Sequence, residues 1–175
     1  MWCNMVVNNK DNITKIGLLF YICSIVGYIY EMILCLIDNG KFLSHGILFG
    51  PWLPIYGTGA VLIFTLRKYR KKPLIIFMLS FLLSGILEWI CGYLLLNFLN
   101  IRLWDYRGWF LNLNGFVCFL SAFIFGCGGI FIIYFLLPVI EKIIRNCKRK
   151  NLILFLSGLS LLFSIDLICT IFKLN

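Results

Sequence analysis

Pro73-LIIFMLSFLLSGILEWICGYLLLNF-Leu99 holds a single charged residue, Glu88, in an otherwise apolar run. About 20 apolar residues are enough to carry a helix across the ~30 Å hydrocarbon core of a bilayer. This stretch therefore reads as a membrane-spanning helix, and its surroundings repeat the pattern. Apolar runs recur at Ile13–Ile37, Gly46–Leu66, Gly115–Ile140 and Asn151–Phe172. The sequence predicts an all-α, polytopic integral membrane bundle of about five transmembrane helices (13–37, 46–66, 73–99, 115–140 and 151–172). Residues 1–175 form a single transmembrane domain on this reading: two helical hairpins of the same orientation and a C-terminal helix.

Composition agrees with that solvent. Hydrophobic residues make up 62% of the 175-residue chain and charged residues 13%, with a mean hydropathy of +0.97. Soluble domains carry about a quarter charged residues, and five crossings leave no room for a soluble domain. The net charge of +9 sits mostly in the short connections. It reads as charge that sets topology and meets anionic lipid, with no nucleic-acid role. Placing the N-terminus, the second connection and the fourth connection inside puts 12 of the 16 Lys and Arg on one side. Only Lys41, Arg102, Arg107 and Lys173 are then outside. The expected location is a bacterial cytoplasmic membrane, N-terminus inside and C-terminus outside, the lipid bilayer being the first partner. Met1–Asn12 is polar and the next apolar run is full length, so no cleaved signal is read. The eight cysteines contain no C-x-x-C pair and fall mostly in apolar runs, where they read as small packing residues.

Small residues four apart share one helix face. The first run carries Cys23-Gly27-Glu31-Cys35 and the third carries Ser80-Ser84-Glu88-Gly92, which reads as an internal repeat with an acid at the same stripe position. Such stripes let membrane helices approach closely. A charge inside a span costs about 2.5–3.5 kcal/mol on insertion scales, so Glu31, Glu88 and Asp166 are expected to face a cavity or a partner. Counting along the helices puts all three in the outer half of the bilayer, near the loops that hold Asp38, His45, Asp105 and Arg107, with Asn114 following in the second of them. The glutamates read either as binders of a solute, cation or proton, or as structural partners of Arg102, Arg107 or His45.

Gly46-Ile-Leu-Phe-Gly50-Pro51-Trp52-Leu53-Pro54-Ile-Tyr56-Gly57 contains too many breakers for an undisturbed helix. Irregular backbone in a membrane survives where protein or a water-filled cavity satisfies it, and transporters often build binding sites this way. Gly50, Pro51, Pro54, Tyr56 and Gly57 are thus expected to line a cavity beside the acids. His45 is the only histidine, which excludes a multi-histidine metal site; no metal site and no cofactor is read. There is no P-loop sequence, so an ATP-driven role needs a separate ATPase or other membrane subunit as partner.

Gly27-Tyr28-Ile29-Tyr30-Glu31, the Gly46–Gly57 run, Leu87-Glu88-Trp89 and Trp104-Asp105-Tyr106 resemble a family of small bacterial membrane proteins, the CmpB-like or type IV ABC-transporter family. The resemblance covers about residues 20–140, and Gly-Pro-x-x-Pro-Ile-Tyr-Gly is its most specific piece. The family pattern has arginine where this chain has His45, so a permanent cation gives way to a titratable one. The resemblance implies transport but no substrate and no catalytic residue. The resulting expectation is a permease-like protein that binds a small solute or cation in an outward-facing cavity. Two other readings stay open: an intramembrane enzyme acting on a lipid or envelope precursor, and a non-catalytic subunit of a membrane complex.

Overall fold

The computed structural model describes residues 2–40 and 46–174, and within them the side chains of 11–37, 40 and 46–173. The described chain is helical: α1 (Trp2–Asn39), α2 (Pro54–Thr65), α3 (Pro73–Leu99), α4 (Phe119–Phe131), α5 (Leu137–Asn146) and α6 (Arg149–Leu174). A 3-10 turn at Leu66–Tyr69 continues α2, and a π turn at Ile132–Leu136 joins α4 to α5. No strand forms among the described residues; Leu113 and Val117 make an isolated bridge. Asp11–Ile37, Pro73–Leu99, Phe119–Asn146 and Arg149–Lys173 are long and apolar enough to cross a membrane. Large apolar side chains such as Ile86, Phe98, Phe135 and Leu154 lie exposed along them, as lipid-facing residues must. The molecule is an all-α membrane bundle.

The bounds differ from those expected at three places, each for a physical reason. The second segment is helical only from Pro54, because Gly50 and Pro51 precede a proline suited to opening a helix. Its twelve residues rise about 18 Å, short of a full crossing. The fourth helix starts at Phe119, after a folded loop, and runs on through α5 to Asn146. There the helix outlasts the apolar run, since charged residues mark the bilayer edge and not the end of helical hydrogen bonding. The π turn precedes Pro138, whose missing N–H cannot bond to the Tyr134 carbonyl one turn back. The first helix likewise begins at Trp2, well ahead of Ile13.

The chain divides into two compact units. The first comprises Met1–Gly57 and Leu137–Asn175. In it α1 packs against α5 and α6. Lys15 pairs with Glu141 at 2.9 Å, the Tyr21 hydroxyl donates to Ser160 at 2.9 Å, and Phe20 and Trp52 meet Phe163 edge to face. The second unit is Thr58–Leu136. In it α3 and α4 pack along their lengths. The buried positions of α3 are Ile76, Ser80, Ser84, Glu88 and Gly92, one every fourth residue, so from Ser80 onward its inner face is small or polar, while large apolar residues such as Leu82, Ile86 and Phe98 lie exposed on its other faces. Gly126 of α4 fits against the Phe77 ring, where a Cβ would come within 2.7 Å of Cε2.

Candidate functional site

In the first unit, the broken segment lies against α1 and α6. Pro51 sits at the centre of a tight turn closed by the Trp52 N–H on the Gly50 carbonyl at 2.9 Å. The Leu53 N–H then bonds to the Ser24 carbonyl of α1 at 3.0 Å. Asp166 of α6 holds the turn from the other side. Its carboxylate accepts the Phe49 N–H at 2.9 Å, the Gly50 N–H at 2.7 Å and the Trp52 indole N–H at 2.6 Å, with the Thr170 hydroxyl at 3.5 Å. A charged acceptor thus satisfies backbone donors that the lost helix leaves over.

The same segment delivers Tyr56 to Glu31. The tyrosine hydroxyl donates to Glu31 Oε1, and its ring fills the notch left by Gly27, one turn before the acid on α1. Gly57 meets Ser24, where a Cβ would lie 2.6 Å from the Phe20 carbonyl oxygen, so only glycine allows this approach. Of the sequence-predicted residues, the structure brings Glu31, Asp166, Gly50, Pro51, Pro54, Tyr56 and Gly57 into one neighbourhood. Trp52 and Ser24 belong there too. Trp52 could be suspected from its place between the prolines, whereas nothing marked Ser24.

In the second unit, Glu88 is 5% exposed and its Oε2 lies 2.9 Å from the Ser121 hydroxyl. Ser121 sits in the first turn of α4, where it and Cys118 form a reciprocal cap: the Cys118 N–H donates to Ser121 Oγ at 3.3 Å, and the Ser121 N–H to Cys118 Sγ at 3.4 Å. A cysteine in the capping position hid this pattern from sequence reading. Glu31 and Glu88 therefore each face a hydroxyl from the segment that follows in the chain.

Asp105 and Arg107 form a cluster of their own. Arg107 Nε donates to Asp105 Oδ2 at 2.7 Å and Arg102 Nη1 at 3.2 Å, while Arg102 Nη2 donates to the Asn114 carbonyl at 2.7 Å. The hydrogen bonds from the Arg107 side chain and backbone hold the Asp105 carboxyl down at about 2. Gly115, at φ +74°, closes this knot; a Cβ there would be strained and would lie 2.6 Å from Asp105 Oδ1. Asn114, also left-handed at φ +54°, takes part through its carbonyl. His45 lies outside the described residues. Among the described residues no group of three or more His, Cys, Asp or Glu gathers as metal ligands would.

Four helices long and apolar enough to cross a membrane, with Glu31, Glu88 and Asp166 inside three of them, define the class as a polytopic helical membrane protein. The chain belongs to the family described as "Putative ABC-transporter type IV", whose sequence pattern matches residues 18–171. No curated protein and no solved structure matches it.

Proposed function

We infer that this chain is a permease-like transporter component, working with an ATPase or other membrane subunit supplied separately. On this reading the broken segment with Glu31 contacts a small solute or cation within the first unit, and Glu88 with Ser121 is the corresponding polar contact within the second. The observation that carries it is the Gly46–Leu53 backbone, left non-helical yet held by Asp166 and set directly before the Tyr56–Glu31 contact. Discontinuous backbone beside an intramembrane acid is how many transporters make a binding site. The matching placement of a hydroxyl on each glutamate supports an internal repeat.

The second segment completes a fifth crossing in this account. The twelve α-helical residues rise about 18 Å, and Gly46–Leu53 supplies the rest of the bilayer. An odd number of crossings puts the N-terminus inside and the C-terminus outside a bacterial cytoplasmic membrane, with the basic turns at 67–72 and 142–150 inside. Residues 1–175 act as a single transmembrane domain.

The test is a deletion strain assayed for uptake and efflux across a panel of ions and small metabolites. At least one flux should fall, return with the wild-type gene, and fail to return with Glu31→Gln or Glu88→Gln at equal protein level. Unchanged fluxes throughout would sink the reading.

A further inference from the structure

The loop at 100–118 presents an apolar tip that the transport reading does not use. From Gly108 to Gly115 it has no charged residue, and Trp109, Phe110, Leu111 and Leu113 are exposed, Phe110 by 74%. Two observations say what covers them. First, the tip is continuous with the apolar outer face of α4: the Phe110 ring lies 6.0 Å from Phe119, which stacks on Phe123 at 6.1 Å, and Phe119 and Phe123 are themselves exposed residues of a candidate span. The Phe119 N–H also bonds to the Phe110 carbonyl at 3.3 Å, so the loop folds back along the helix.

Second, the loop turns its polar groups inward. The Trp109 N–H bonds to the Tyr106 carbonyl at 3.0 Å, the Leu113 N–H to Val117 at 2.9 Å and the Tyr106 N–H to Gly115 at 2.9 Å. The Asn112 side chain donates to the Trp109 carbonyl at 3.0 Å and accepts the Gly115 N–H at 3.3 Å, and the Trp104 indole donates to Phe116 at 2.8 Å. Asp105 pairs with both Arg102 and Arg107 at the base, which leaves one net positive charge there. Leu111 is held at φ +49°, an unfavourable conformation for leucine, with its side chain directed outward. Part of the loop's backbone is thus paired internally under an apolar exterior, an arrangement suited to the membrane interface, where water still reaches the remaining polar groups.

We propose that residues 108–114 form an interfacial wedge seated in the lipid at the end of the second unit, with the Arg102-Asp105-Arg107 knot at headgroup level as its base. Asp105, Arg107 and Asn114 then shape the wedge and do not touch solute.

The experiment compares wild-type protein with Trp109→Phe in phospholipid vesicles. The emission lost in the variant, which is that of Trp109, should be blue-shifted. It should lose about half or more of its intensity with phosphatidylcholine brominated near the headgroup, and be insensitive to aqueous iodide. Quenching by iodide with no effect of bromine would place the tip in water and overturn the proposal. Protection from both quenchers would place it under protein and overturn it equally. Leu113→Trp, which adds a reporter instead of removing one, should gain a component with the same bromine sensitivity, so the reading does not depend on one variant.

Discussion

Asp166 meets two successive backbone N–H groups and an indole, whereas Glu31 meets a tyrosine and Glu88 a serine. The three intramembrane acids thus have different work to do. Asp166 anchors backbone, and a donor left without an acceptor away from water costs about 1–3 kcal/mol. Asp166→Ala is therefore expected to lower stability by about 2–3 kcal/mol and to open residues 46–53 to limited proteolysis. Thermal unfolding in mild detergent and a protease-cleavage map check this; an unshifted midpoint with an uncut segment would contradict it. The cost of a charge in a span made all three acids legible in the sequence. Their partners were not, because Trp52 and Asp166 are 114 positions apart and Glu88 and Ser121 are 33 apart. No local pattern encodes such a pairing.

At the level of the elements, close helix approach rests on glycine facing serine. Gly57 meets Ser24 in the first unit and Gly129 meets Ser80 in the second, both serines fully buried with hydroxyls that have no hydrogen-bond partner among the described residues. Gly129→Ala should cost about 1–3 kcal/mol through overpacking, and Ser80→Gly in the same chain should recover most of that loss, which unfolding midpoints of the single and double variants will show. No recovery would mean that the contact is not the cause. The stripe Ser80-Ser84-Glu88-Gly92 was readable because buried positions four apart follow from helix geometry alone. The ends of the helices were less so. Hydropathy marks where the membrane stops, but α5 continues past Glu141 as an amphipathic helix, and the π turn before Pro138 reflects one missing N–H. The loop at 100–118 joins aromatic residues to charges in its sequence. Its inward hydrogen bonds depend on left-handed residues at Leu111 and Asn114, which no hydropathy pattern announces.

For the molecule as a whole, class was legible from composition, since a chain with 62% hydrophobic residues has few soluble alternatives. Family was legible from the Gly-Pro-x-x-Pro-Ile-Tyr-Gly run, and the family pattern extends to residue 171, taking in the last helix. That extension has a physical counterpart in Asp166, which ties α6 to the same run. On the proposed transport function, and with no P-loop in the sequence, the energy source is a separate subunit or a gradient. The most direct measurement is affinity purification of the tagged protein from its native host in mild detergent, with bound subunits identified by mass spectrometry. A P-loop ATPase recovered in fixed proportion is the predicted result; a protein that emerges alone, from cells whose solute fluxes do not depend on it, would contradict the account.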